Sequence, residues 1–199
     1  RDYLVIQERR DGLTRLRIKP WRGDGEHDLD FGEPTYGAWI IESPELDTTV
    51  LRYGYSSLTT PRSVFDYDMR QHEKTLRKQD RVLGDFEPAR YRAEYIHATA
   101  ADGTRVPISL VYRADTFVAG GNPCLLYGYG SYGSSANATF RSWRLSLLDR
   151  GFVFAIAHVR GGQEMGRQWY EDGKLLSKMN TFTDFIACGE HLVASGYAD

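Results

Sequence analysis

An excess of charge of either sign is missing from this 199-residue sequence: 25 Lys and Arg stand against 27 Asp and Glu, a formal net charge of −2. Such a balance supplies no general field for holding a polyanion, and a nucleic-acid partner is not expected. Cysteine is scarce too. Cys124 and Cys188 lie in apolar surroundings without CxxC spacing, and they read as buried free thiols of a reducing compartment. No window approaches the roughly 18 consecutive apolar residues of a spanning helix, so no membrane segment is expected. Metal-ligand patterns are absent as well: His27, His72, His97, His158 and His191 are scattered, and no HExxH occurs. Neither a metal nor a cofactor is expected. An initiator Met and a secretory leader are also lacking, and the chain opens inside the apolar run Tyr3-Leu4-Val5-Ile6, which reads as an excised piece.

What is present, 41% apolar and 26% charged residues, suits one globular domain or two partial ones. Up to about residue 85 the pattern is short strands separated by turns. Tyr3 to Glu8 and Leu13 to Ile18 flank Asp11-Gly12, a dipeptide that supplies the positive φ angles of a tight hairpin. Trp39 to Ile41, Thr49 to Tyr53 and Val64 to Tyr67 follow, punctuated by Pro34, Pro44 and Pro61, as in a sandwich, a barrel or a propeller blade. The charged stretch Gln71 to Arg81 has no interleaved aromatics and reads as a solvated strand or hairpin surface.

From residue 86 the pattern changes. Tyr91 to Ala98 and Val106 to Tyr112 alternate around Asp102-Gly103, an antiparallel pair leading into a second unit. The period then lengthens: a short apolar run at Cys124 to Tyr127, a helix over Thr139 to Arg150 closed by Gly151, and Phe152 to Ala157, apolar on both faces like a strand inside a parallel sheet. Thr181 and Asp184 have the spacing of a capping box opening a last helix, with Phe182, Phe185, Ile186, Leu192 and Val193 at helical intervals. Strand, helix, strand, helix is the opening of an α/β sheet. With so few strands, that sheet is expected to leave apolar surface uncovered.

Two loops follow the apolar strands: Gly128-Tyr129-Gly130-Ser131-Tyr132-Gly133 and Val159-Arg160-Gly161-Gly162-Gln163-Glu164. Ligands of open α/β sheets gather at the carboxyl ends of strands, so both loops belong to one functional edge. The first spells G-x-G-x-x-G, but the next helix is expected only near Thr139, and Asp149 lies within that helix rather than after a second strand, so a dinucleotide site is not expected. No serine stands in a G-x-S-x-G elbow, and His158 precedes any place for one; it reads as a structural histidine at a strand end.

With these motifs in view the chain resembles the prolyl oligopeptidase family of serine peptidases, in its oligopeptidase B branch. The matching segments are Leu51 to Pro61, Tyr127 to Gly133, Arg144 to Phe152, His158 to Gly162, Gln168 to Lys174 and Asn180-Thr181-Phe182. The resemblance implies all-β plus α/β architecture: residues 1–85 are the last blades of a β-propeller, and residues 86–199 the first part of an α/β-hydrolase catalytic domain. It further implies a cytoplasmic endopeptidase that takes short peptides and cleaves after Lys or Arg, with its Ser-Asp-His triad downstream of Asp199 and the remainder of the polypeptide as its partner. Tyr129 corresponds to the tyrosine that donates its hydroxyl to the oxyanion, and Tyr132 to an aromatic lining the primary specificity pocket. Asn137 and Thr139 stand where some members carry two acidic residues for a second basic residue of the substrate, and Gln163 replaces the third glycine of an Arg-Gly-Gly-Gly-Glu pattern. Two alternatives stay open: a non-catalytic β-rich interaction module with a remnant hydrolase fold, and a relative of acylaminoacyl peptidases or esterases.

Overall fold

The structure, a computed structural model, describes residues 2–45 and 47–199, which form three sheets. Strands β1 (Tyr3–Arg10) and β2 (Leu13–Pro20) make the expected hairpin. Arg10 pairs with Leu13, leaving a two-residue turn in which Asp11 and Gly12 hold φ of 53° and 81°, the left-handed pair that matches strand twist. The two-residue β3 (His27–Asp28) adds to β2 and completes the first sheet.

The second sheet is a four-stranded antiparallel meander of β4 (Tyr36–Ile40), β5 (Val50–Ser57), β6 (Ser63–Asp68) and β7 (Glu73–Gln79). Alternation turns Leu16 and Ile18 of β2 onto Tyr36, Leu51, Tyr53, Tyr55 and Tyr67, one aromatic-rich core between the two sheets. Gly54 pairs with Trp39, whose indole covers the space a side chain would need. β7 is exposed throughout, and its Lys74, Arg77 and Lys78 charge a sheet edge that would otherwise invite pairing.

The third sheet runs β10 (Cys124–Gly128), β11 (Val153–Ala157), β9 (Arg105–Arg113), β8 (Tyr91–Thr99). β11 is buried at every residue, as the two-faced apolar run requires. The sheet around it is mixed, however: β11 lies parallel to β10 but antiparallel to β9. On one face Val106, Ile108, Leu110, Val153 and Ala155 meet Cys188 and Leu192 of helix α3 (Met179–Ala194). On the other, Val111, Phe154 and Ile156 meet Leu148 of the short helix α1 (Leu145–Leu148), together with Leu58 from the end of the meander. Helix α2 (Arg167–Glu171) lies between β11 and α3 in the chain. Among the described residues no helix is long and apolar enough to cross a membrane.

Two expectations are corrected. The helix foreseen from Thr139 to Arg150 shrinks to a 3-10 turn at Ser142–Arg144 and the four residues of α1. Its amino-terminal part is drawn off by one long-range bond and one local one: the Phe140 amide donates to Ser56 Oγ at 2.9 Å, and the Arg144 guanidinium donates to the Thr139 carbonyl five residues back. Thr181 and Asp184 make no capping box, because α3 begins at Met179 and its first turn has no side-chain cap. The apolar residues of α3 do form one helix, which keeps Met179, Phe182, Ile186 and Val193 exposed, so only part of its apolar set faces the core. Neither thiol is paired: Cys188 is buried and Cys124 partly so, and burial pushes them up to about 12 and about 11, well clear of thiolate chemistry at neutral pH.

Candidate active site

The parallel register of β10 and β11 brings their carboxyl ends, Gly128 and Ala157, side by side, and the two glycine-rich loops leave the sheet together. They are packed backbone against backbone. Gly130 has φ 62°, and a Cβ there would lie 2.5 Å from Thr181 Cγ2 and 2.6 Å from Val159 Cγ2. A Cβ on Gly161 would collide with the Gly130 carbonyl, and one on Gly173 with the Gly161 backbone. Only glycine tolerates such approaches, so the loops after β10, β11 and α2 meet at a point. The Gly133 amide donates to Gly161 O at 3.0 Å and the Gly161 amide to Trp169 O at 2.9 Å, stitching the three together.

Helix α3 holds this hub from below. The Thr181 hydroxyl donates to Arg160 O at 2.6 Å. Asp184, fully buried, accepts three bonds from Arg160: from its backbone amide at 3.0 Å, from Nε at 2.9 Å and from Nη2 at 2.6 Å. Arg160 Nη1 donates at 2.7 Å to Asp102 in the β8–β9 turn. Asp102 is held down to about 2, first by the Thr104 amide and then by the Arg160 guanidinium, while Asp184 holds that guanidinium above its ordinary value. The spacing read as a helix cap therefore serves to anchor the second loop.

His158 occupies the structural role expected of it. Its Nε2 lies 2.7 Å from Ser109 Oγ, which lies 2.6 Å from Thr35 Oγ1, a buried polar chain running from the amino-terminal sheets into the third. His158 Nδ1 faces Glu164 Oε1 at 3.8 Å, and that carboxylate oxygen accepts the Ala136 amide at 2.7 Å.

The four residues singled out from sequence fall in three places. Tyr129, 48% exposed, sits at the carboxyl end of β10 between Gly128 and Gly130. Tyr132, 89% exposed and at φ 56°, lines a cavity with Ser131, Tyr170, Lys174 and Lys178. Asn137 and Thr139 line a different cleft with Gln7, Arg9, Gly37 and Trp39 of the first two sheets, and Asn137 Oδ1 accepts a hydrogen bond from Arg9. The structure thus brings Asn137 and Thr139 together but gathers neither with Tyr129 and Tyr132. Lys178, Gly173, Thr181 and Asp184 were not singled out as site residues, although Gly173 and Thr181 stand inside matched motifs and Thr181 and Asp184 were read as a helix cap. Their role depends on contacts across 12 to 51 residues of chain, which no local pattern carries. Among the described residues no three His, Cys, Asp or Glu side chains gather as a metal site.

An antiparallel four-stranded blade joined to an α/β sheet, with glycine-tight loops at its carboxyl edge, defines the class: β-propeller blades followed by the start of an α/β-hydrolase domain. Family models agree with that description. Residues 1–80 match the "Prolyl oligopeptidase, N-terminal beta-propeller domain" and residues 138–199 the "Prolyl oligopeptidase family". The chain belongs to the prolyl oligopeptidase family.

It is 44% identical over 198 residues to dipeptidyl aminopeptidase BI of Pseudoxanthomonas mexicana, covering 98% of this chain and 27% of that protein. Protease 2 of Moraxella lacunata is 41% identical, with 99% of this chain and 28% of the relative covered. Among solved structures, oligopeptidase B from Leishmania major superposes with a TM-score of 0.89 at 42% identity, covering 99% of this chain and 29% of that one. Oligopeptidase B from Trypanosoma brucei with covalently bound antipain, in its closed form, gives 0.89 at 46%, covering 98% and 29%. The chain therefore spans a little over a quarter of the length of these relatives.

Proposed function

We propose that this chain is the middle segment of a serine oligopeptidase that hydrolyses short peptides after Lys or Arg. Residues 1–85 finish its propeller, residues 86–199 open its hydrolase domain, and the Ser-Asp-His triad lies downstream of Asp199. The observation that carries the reading is the glycine-locked Tyr129 loop at the carboxyl end of β10, in a chain of this family.

The chemistry is acyl transfer. The serine Oγ attacks the scissile carbonyl carbon while histidine takes its proton; the tetrahedral oxyanion collapses, the C–N bond breaks and the amine leaves with that proton, and water then releases the acid. Tyr129 supplies a hydroxyl donor to the oxyanion, and its fixed backbone preorganises that donor where negative charge develops. Tyr132 lines the primary specificity pocket. The covalent antipain on the Trypanosoma brucei relative fits such a nucleophilic route. The remainder of the polypeptide is the proposed partner, covering the exposed apolar face of α3, and short peptides are the substrates. The proposed setting is the cytoplasm, where the unpaired Cys124 and Cys188 persist.

A second reading, release of dipeptides from free amino termini, is favoured by the name of the Pseudoxanthomonas relative. Peptides with free and blocked amino termini separate the two. For Tyr129 the test is the Tyr129→Phe variant of the complete polypeptide, assayed on an arginyl amide. Its kcat is expected to fall about 10²-fold with KM little changed, and an unchanged kcat removes Tyr129 from the oxyanion role.

A further inference from the structure

The hub holds a second cation besides Arg160. Lys178, the residue before α3, is partly buried and turns its ammonium onto the hub. Its Nζ donates to Gly130 O, to Ser131 Oγ at 2.9 Å and to Thr181 Oγ1 at 3.2 Å. An ammonium has three donors, and here three uncharged acceptors take them all. Burial pulls Lys178 below its ordinary value, so its charge is partly desolvated in this setting.

The acceptors decide what the contact does. Gly130 and Ser131 are the two residues between Tyr129 and Tyr132. Three residues of this turn are left-handed, Gly130 at φ 62°, Tyr132 at 56° and Gly133 at 64°, and at Tyr132, a non-glycine residue, that conformation costs free energy and needs tertiary bonds to hold it. Thr181 cannot substitute for Lys178 at the Gly130 carbonyl. Its single hydroxyl proton goes to Arg160 O at 2.6 Å, while Gly130 O lies 3.4 Å away. Lys178 is thus the strong donor for the carbonyl of the residue that follows Tyr129. Releasing it frees the Gly130-Ser131 peptide unit, one residue beyond the Cα that carries the Tyr129 ring.

We infer that Lys178 is a positioning residue, which clamps the Gly130-Ser131 backbone and thereby aims the Tyr129 hydroxyl at the oxyanion. The inference rests on the oxyanion role proposed for Tyr129. It does not make Lys178 a group that touches substrate. A hydroxyl displaced by about 1 Å loses much of its worth to a transition state while leaving ground-state binding intact, so the signature is in kcat.

A double-mutant cycle in the complete polypeptide tests it, with an arginyl amide as substrate and Lys178→Met, Tyr129→Phe and the double variant compared. Lys178→Met keeps the aliphatic stem and removes the donors. Expected are a fall in kcat of about 10-fold for Lys178→Met with KM within about 2-fold, and less than about 2-fold further loss when it is added to Tyr129→Phe. Lys178→Arg, which restores a cation within reach of the Gly130 carbonyl, is expected to recover most of the rate, and this variant keeps the test valid where Lys178→Met folds poorly. Multiplicative losses in the double variant, with Tyr129→Phe impaired, overturn the Lys178 inference alone, since a merely structural lysine damages both backgrounds equally. An unimpaired Tyr129→Phe enzyme overturns the oxyanion reading, and the inference with it. A Lys178→Met enzyme with raised KM and unchanged kcat also overturns it, by pointing to substrate binding.

Discussion

Replacing Asp184 by Asn removes one negative charge from the fully buried partner of Arg160 and is expected to lower the stability of the hydrolase part. The two carboxylate oxygens accept from the Arg160 amide, Nε and Nη2 at 3.0, 2.9 and 2.6 Å. An Asn side chain offers one acceptor and turns an NH2 group toward a donor, leaving a buried guanidinium uncompensated on that side. Loss of one partner of a buried ion pair costs about 3–5 kcal/mol. Asp102 still receives Nη1 at 2.7 Å, which places the expected cost near the lower end, about 3 kcal/mol. At roughly 2–4 °C per kcal/mol for a unit of this size, the melting transition falls by about 6–12 °C. The control is Asp102→Asn: this carboxylate is 48% exposed, and an exposed pair is worth at most about 1 kcal/mol. Calorimetry of both variants in the complete polypeptide decides. An Asp184→Asn transition within about 2 °C of the parent's, or one no lower than that of Asp102→Asn, refutes the reasoning from buried charge.

The same network sets an acid dependence. Asp102 is depressed to about 2 from its ordinary 3.8, so its contribution is present above pH 4 and is lost as pH falls from about 4 toward 2. The difference in melting temperature between the parent and Asp102→Asn is expected to shrink over that interval, and an equal difference at pH 3 and pH 7 contradicts it. Gly161→Ala places a methyl group against the Gly130 carbonyl at φ 95°, and is expected to abolish activity and lower stability by more than the ~1 kcal/mol of an ordinary Gly→Ala strain, as urea unfolding reports. Asn137 and Thr139 offer no carboxylate to a second basic side chain, so dibasic peptides are expected to show no more than about a 3-fold advantage in kcat/KM over monobasic ones. A large dibasic preference assigns that recognition to other residues.

Much of the fold was legible because it is locally determined. Asp11-Gly12 announces its hairpin through backbone angles that few residues adopt, and the two-faced apolar run at Val153 to Ala157 announces a central strand through burial on both sides. The charged edge strand β7 was readable for the same kind of reason. What stayed hidden depends on partners far away in the chain. The helix foreseen at Thr139 lost its first turns to Ser56, 84 residues earlier, and no periodicity within the segment reports that competition. Thr181 and Asp184 carry the spacing of a cap, and only the approach of the Arg160 loop turns them into an anchor. The two glycine loops were placed on one edge by the rule for open α/β sheets, but the third loop, at Gly173, joins them through backbone contact that a lone glycine in sequence does not signal. Asn137 and Thr139 were marked only through the resemblance, as positions for a second basic residue of the substrate, and nothing local to them announces the cleft they line against Arg9 and Trp39.

The most direct test of the central claim is hydrolysis of an arginyl amide by residues 1–199 alone and by the complete polypeptide that carries them. The account predicts cleavage by the complete polypeptide, abolished by a covalent serine-peptidase inhibitor, and none by residues 1–199. A correctly folded complete polypeptide that cleaves neither arginyl nor lysyl amides contradicts it.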